Sequence, residues 1–285
     1  MKIDFNFLRD ILSTPSYFQQ EAELKNLILS KYENQTHIDV KLDAKGNLYL
    51  TKGIADFYPC FVAHMDTVHQ KETINIREEI IQQCDQEFTK WYAINNQGFK
   101  TGIGGDDKAG VFEALTVFNA LDVCKVALFV EEERGCLGSK LLDKEFFKNV
   151  GYCIQFDGPE DFMVTQVCVD QVLFKQDSDF GKIVTKIIPA ICGEKIRYFV
   201  HPYTDIWQIK ALTDLCCINV PAGYFNMHST SEFVILEIVA KSCELGLALA
   251  EGLGQKQYIY KAEDSAKDYN NSGFGSWQES LTPLI

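Results

Sequence analysis

The chain has 285 residues and carries 40 acidic against 27 basic side chains, a formal net charge of −13 at pH 7. With no basic tract or basic amphipathic stretch, that balance argues against nucleic acid or an anionic membrane surface as partner. An apolar content of 46% is an ordinary globular value, and no run approaches the ~20 apolar residues of a membrane span.

The elements read in chain order as follows. Residues 4–33 have helical spacing at Phe7, Leu8, Ile11 and Leu12, broken at Thr14-Pro15, with Ser16 and Gln19 resembling a capping box for the second half. Short strands are expected at 38–42, 47–51 and 60–63. Residues 72–100 read as a hairpin-rich excursion turning at Asn95-Asn96-Gln97-Gly98. A helix is expected over 107–121, apolar strands over 126–130 and 152–156, and helices over 183–191 and 205–212. A strand over 215–221 and a long helix over 233–251 complete the series. Strands alternating with helices imply an α/β fold, a three-layer αβα arrangement around a mostly parallel sheet. Residues 1–255 read as a single catalytic domain and 256–285 as a C-terminal extension, with 263–275 a loose, polar tail.

The ten cysteines form no CxxC pair and lie in apolar stretches, so buried thiols are expected rather than disulfides. Met1-Lys2-Ile3-Asp4-Phe5 has an early acid and no continuous apolar run, which reads as a cytoplasmic chain.

The chemistry concentrates at expected strand ends. His64 and Asp66, two apart, share one face of a strand, so a carboxylate can brace one ring nitrogen while the other binds a metal. Asp106 follows Gly104-Gly105 and precedes a helix whose positive end favours an anion, the natural place for a bridging carboxylate. Glu132 and Glu133 leave an apolar strand; as neighbours on an extended chain they would point apart, one to metal and one to incoming water. Asp157 ends the next strand and His228 sits in a later loop. Each motif alone is ambiguous, since an isolated run of glutamates is usually a solvated turn. In combination they describe a two-metal hydrolytic centre. Two carboxylates ~4 Å apart repel by roughly 4 kcal/mol at an effective dielectric of 20, so their convergence calls for divalent cations.

These residues also carry a resemblance. AHMDTV at 63–68, GGDDKAG at 104–110, EEERG at 131–135, FDG at 156–158 and NMHS at 226–229 resemble the zinc exopeptidase superfamily, which includes tripeptidases, aminoacylases, glutamate carboxypeptidases and single-domain aminopeptidases. The resemblance implies two zinc ions, with cobalt or manganese as alternatives. His64 and Asp157 would hold one, Glu133 and His228 the other, and Asp106 would bridge them. It implies that Asp66 orients His64, that Glu132 is the general base, and that the Asp106–Asp107 peptide is cis. Only residues 159–200 separate Asp157 from His201-Pro202-Tyr203-Thr204-Asp205, too few for the lid domain that some of these enzymes insert there. His201 and Tyr203 are candidates for oxyanion binding in its place. The expected substrate is a short peptide cleaved from its amino end. An N-acyl amino acid or other small amide is the alternative, and a non-catalytic module on the same fold a third reading.

Overall fold

Strands with no polar face form the centre of this fold. In the computed structural model, which describes residues 1–69, 71–83, 86–160, 163–193 and 197–261, helices α1 (Phe5–Ser13) and α2 (Ala22–Tyr32) precede strands β1 (Ile38–Leu42), β2 (Leu48–Lys52) and β3 (Tyr58–His64). Next come β4 (Asn75–Gln83), β5 (Gln86–Ile94), β6 (Lys100–Thr101), α3 (Gly105–Ala120), β7 (Cys124–Phe129), α4 (Lys144–Phe147) and β8 (Val150–Gly158). The remaining elements are β9 (Met163–Cys168), β10 (Gln171–Val172), α5 (Asp179–Cys192), β11 (Arg197–His201), α6 (Asp205–Thr213), β12 (Cys217–Pro221), β13 (Tyr224–Phe225), β14 (Phe233–Ile235) and α7 (Leu236–Leu253).

A nine-stranded sheet runs in the order β1-β2-β7-β3-β8-β12-β9-β10, with β11 also paired to β9. Its middle, β7-β3-β8-β12, is parallel, and every residue of those four strands is buried. Burial on both faces explains why they read as continuous apolar runs. The flanking pairs β1–β2, β2–β7, β12–β9 and β9–β10 are antiparallel. A separate five-stranded sheet joins β4, β5 and β6 to β13 and β14, and Asn95 turns the chain between β5 and β6 by accepting from the N–H groups of Gln97 and Phe99.

Two neighbouring residues of β8 establish the layers. The Phe156 ring lies against Gly246 of α7, whereas Gln155 Oε1 accepts the Ile206 N–H at the start of α6 at 2.8 Å. Adjacent strand residues face opposite ways, so α7 and α6 cover opposite faces of the sheet. On the α7 side, α3 packs over β3 and β8, α1 packs on α3, and α5 on α7. Gly110 permits that closeness: a Cβ there would come within 1.9 Å of the Phe156 carbonyl oxygen. Lys108, fully buried, spends its ammonium on the carbonyls of Leu12 and Thr14 at 2.6 and 2.9 Å, fastening the end of α1 to α3.

The structure departs from the sequence expectations in local ways. Ser16 does not cap α2; its hydroxyl bonds the Met65 carbonyl, and the Thr67 N–H donates to the Ser16 carbonyl at 2.8 Å. That segment is therefore pinned to the chain leaving β3. The last helix starts at Leu236 rather than 233, because Phe233, Val234 and Ile235 pair with β5 as strand β14, in keeping with the strand preference of such side chains. Residues 159–201 contribute β9, β10 and β11 to the main sheet and α5 to a face. The first residues of the expected extension pack on the fold: the Tyr258 N–H donates to Gly151, its carbonyl accepts from Cys216, and the Lys210 ammonium reaches the Tyr260 carbonyl. The expected loose tail lies outside the described residues. Every described cysteine is a thiol, and all but Cys192 are buried. Among the described residues, no helix is long and apolar enough to cross a membrane.

One core residue carries a pH signature. Glu113 of α3 is fully buried, with no hydrogen-bond partner for either carboxyl oxygen among the described residues. Burial pushes its carboxyl well above its ordinary 4.5, so the folded chain keeps a proton that the unfolded chain releases. Its contribution is intact below the unfolded value and declines as pH rises toward the folded value. Glu113→Gln is therefore expected to melt like the parent near about pH 4 and higher than the parent near about pH 8, by about 2–4 °C for each kcal/mol recovered. Thermal melts at the two pH values check this.

Candidate metal centre

Parallel strands bring their carboxyl ends to one edge of a sheet, where open α/β folds gather ligands. Here β3 ends on His64, β8 ends at Asp157-Gly158, and β7 leads into residues 131–135. Asp106 reaches the same place at the start of α3, and His228 from the loop between β13 and β14. The structure brings two sets of side chains together: His64, Asp106 and Asp157, and Asp106, Glu133 and His228, each with its candidate ligand atoms within 4.8 Å of one another. Asp106 belongs to both. Its Oδ1 lies 3.2 Å from His64 Nε2 and its Oδ2 3.1 Å from His228 Nε2. Asp157 Oδ1 is 3.7 Å from His64 Nε2, and Glu133 Oε1 is 3.1 Å from His228 Nε2.

Glu132 stands outside both sets. Its Oε2 is 3.9 Å from His64 Nε2, and its Oε1 accepts from the Cys136 thiol at 3.3 Å. The two glutamates part company, but not because the chain is extended. They lie in a 3-10 turn over Glu132–Arg134, entered by Glu131 in the left-handed region at φ +54°. The cause is Asp66, whose Oδ1 and Oδ2 accept the N–H groups of Glu132 and Glu133 at 2.9 and 3.0 Å. Asp66 also flanks the His64 ring, through two of its groups. The nearest group to His64 Nδ1 is the Asp66 carbonyl oxygen at 3.0 Å, with carboxylate Oδ1 farther off at 3.5 Å. With Nδ1 donating to the carbonyl, Nε2 is the nitrogen left for the centre.

The peptide bond between Asp106 and Asp107 is cis. Asp107 faces away from the centre, accepting the His64 N–H through Oδ2 and the Gly110 N–H through Oδ1, both at 3.1 Å. His201 Nδ1 lies 3.0 Å from the Pro202 carbonyl, and the Tyr203 hydroxyl meets the Gln208 amide, with its ring 4.9 Å from that of Trp207.

The electrostatics match the crowding. Against the burial that would lower it, hydrogen bonds to Asp106, Asp157 and Asp66 hold the His64 imidazole well above its usual range. Hydrogen bonds to Asp106 and Glu133 push His228 up to about 10. Burial works to raise Asp106, but hydrogen bonds from His228 and His64 hold it below the ordinary carboxylate range. Burial pushes Glu132 and Glu133 up. Carboxylates are thus collected around imidazoles that must carry protons to balance them, a charge that divalent ions would supply instead. Imidazole nitrogen and carboxylate oxygen suit zinc, cobalt or manganese. By donor chemistry, the residues of each set fit such an ion.

No protein-family model and no curated protein matches the sequence. Solved structures do match. Aminopeptidase PepT from Bacillus cereus superposes with a TM-score of 0.71 at 15% identity, over 87% of this chain and 97% of that one. A tripeptidase from Staphylococcus aureus gives 0.65 at 14% identity, over 88% and 98%. The TET1 peptidase of Pyrococcus horikoshii gives 0.62 at 17% identity, over 86% and 98%. The fold is the one these peptidases have.

Around the centre, a supporting set of residues escaped the sequence reading. Asp157 Oδ2 accepts from Gln155 Nε2 at 2.9 Å and from the Thr204 hydroxyl at 2.6 Å, and its Oδ1 from the Tyr224 hydroxyl at 3.2 Å. Asn219 brackets the Asp157 main chain with bonds of 2.9 and 3.0 Å. Glu232, 1% exposed, accepts the N–H groups of Gly104 and Asp106 at 2.8 and 3.0 Å. Gln155 was within reach of strand periodicity, since it shares a face with Asp157 two residues on. The others touch the centre only across the fold. Thr204→Val removes the shorter bond to Asp157 while keeping the side chain's shape. It is expected to lower zinc affinity by about 10-fold, the scale of such supporting contacts, with Thr204→Ser close to the parent. Equilibrium dialysis against zinc measures it.

Proposed function

We propose that this chain is a dinuclear metal-dependent exopeptidase that hydrolyses short peptides, cutting from the amino end. The observation that carries the reading is the division of Asp106 between two imidazole–carboxylate sets while Glu132 stays outside both. In this reading His64 and Asp157 hold one zinc ion, Glu133 and His228 the other, and Asp106 both. The shared fold supports it, because the structures it matches include an aminopeptidase and a tripeptidase.

When bound, the ions would polarise the scissile carbonyl and make water a stronger nucleophile near neutral pH. The chain's own residues do the rest. Glu132 takes a proton from the attacking water on Oε2, the oxygen turned toward His64, and returns it to the departing amine. Its other oxygen is engaged by the Cys136 thiol, which limits the carboxylate to one working position. Asp66 serves by holding the main chain of Glu132 and Glu133, so one carboxylate sets where both the base and a ligand stand.

Glu132→Gln is expected to lower turnover of a tripeptide by about 10²–10⁴-fold, the usual contribution of a general base, with zinc content unchanged. Full activity in this variant would remove Glu132 from the chemistry. A panel of dipeptides, tripeptides and N-acetyl amino acids tests the substrate class. Cleavage confined to the acetylated compounds would replace the peptidase with a small-amide hydrolase. A chain that takes up no zinc and cleaves nothing would be a non-catalytic module on this fold.

A further inference from the structure

The loop from β13 to β14 does more than deliver His228. From the strand that leads into it, the Tyr224 hydroxyl of β13 donates to Asp157 Oδ1 at 3.2 Å. At its middle, His228, held in the left-handed region at φ +59°, meets both Asp106 and Glu133. At its end, Glu232 accepts the N–H groups of Gly104 and Asp106. A span of nine residues thus touches Asp106, Glu133 and Asp157, acids from both sets.

Glu232 stands apart in that span. It is buried and points at main chain rather than at the centre, and it grips the residue that both sets share. The fit is close from the other side as well. A Cβ on Gly105 would stand 2.7 Å from Tyr224 Cβ, 2.8 Å from Val234 Cγ1 and 3.7 Å from Glu232 Oε1. The turn over 104–106 therefore rests directly on the residues flanking the loop, with no room for a side chain between.

Resting on the two-metal reading above, we propose that Glu232 is a positioning residue of the centre, a latch that fixes the Asp106 main chain to the His228 loop. The division of Asp106 between two ions requires each carboxylate oxygen to face a different way, and the orientation of the side chain follows from that of its backbone. Glu232 supplies that orientation by holding the Asp106 N–H. Because the same segment carries His228, it also sets the spacing between Asp106 and the imidazole of the second set. Glutamate suits this task better than glutamine: two carboxylate oxygens accept two N–H groups, whereas an amide presents one oxygen and a donor that meets the second N–H head-on.

Calorimetric titration of the metal-free full-length chain with zinc tests the latch. The parent is expected to take up two ions. Glu232→Gln should bind zinc about 10–100-fold more weakly, the usual effect of losing a supporting contact, while the metal-free chain still melts cooperatively, lower by a few degrees for the one buried N–H left unmet. Gly105→Ala approaches the same contact from the opposite side, leaves the carboxylate in place, and should weaken zinc binding in the same direction. It gives the answer if Glu232→Gln does not fold. Parent-like zinc affinity in either folded variant would overturn the latch. A parent that takes up no zinc would instead overturn the two-metal reading, so the two failures are told apart.

Discussion

The organisation of this molecule depends on placing buried carboxylates side by side and finding charge to balance them. Asp66, Asp106, Glu132, Glu133 and Asp157 all stand at one edge of a sheet whose central strands are buried on both faces, where water screens poorly. Each is answered by a particular group. Asp106 has two imidazoles, Asp157 a hydroxyl, a phenol and an amide, and Asp66 two main-chain N–H groups. Asp66 thus serves as an acceptor of main-chain N–H groups and belongs to neither set. Glu133 shares the His228 imidazole with Asp106, and Glu132 takes the Cys136 thiol.

The framework around that edge is rigid for identifiable reasons. β3 is held by β7 on one side and β8 on the other, so the strand end carrying His64 cannot shift alone. Asp107 then ties the His64 main chain to the first turn of α3. Lys108, next in the chain, ties that same turn to α1. GGDDKAG is thus a row of separate fasteners. Asp106 enters the centre, Asp107 binds the strand, Lys108 binds the first helix, and Gly110 lets the second layer close down on β8.

Much of this was legible in the sequence, and the part that was not has a common cause. The parallel strands announced themselves because burial on both faces leaves no polar alternation, as in Phe61-Val62-Ala63. The acids and imidazoles at strand ends stood out because they interrupt those runs. Only part of the job of Asp66 was legible, since spacing places it on the His64 side of the strand but cannot show that its carboxylate also holds the N–H groups of Glu132 and Glu133. Glu132 and Glu133 were assigned to an extended segment, whereas the turn they form is imposed by Asp66 from 66 residues away. Thr204, Asn219 and Glu232 were missed for the same reason. Their partners at Asp157 and Asp106 are distant in sequence, and no period or short spacing encodes such contacts. Ser16 shows the converse error, a local capping pattern overridden by a tertiary bond to Met65.

The order in which the centre's parts occur along the chain has a consequence for how the protein is made. His64 and Asp106 lie in the first half, but the second imidazole arrives only at residue 228, on a loop between β13 and β14, which pair with each other while β14 also pairs with β5. A nascent chain emerging from the ribosome would display several of the acids long before that loop existed to complete their surroundings. A product truncated before residue 228 therefore lacks the imidazole of the second set, whatever else of the sequence it contains.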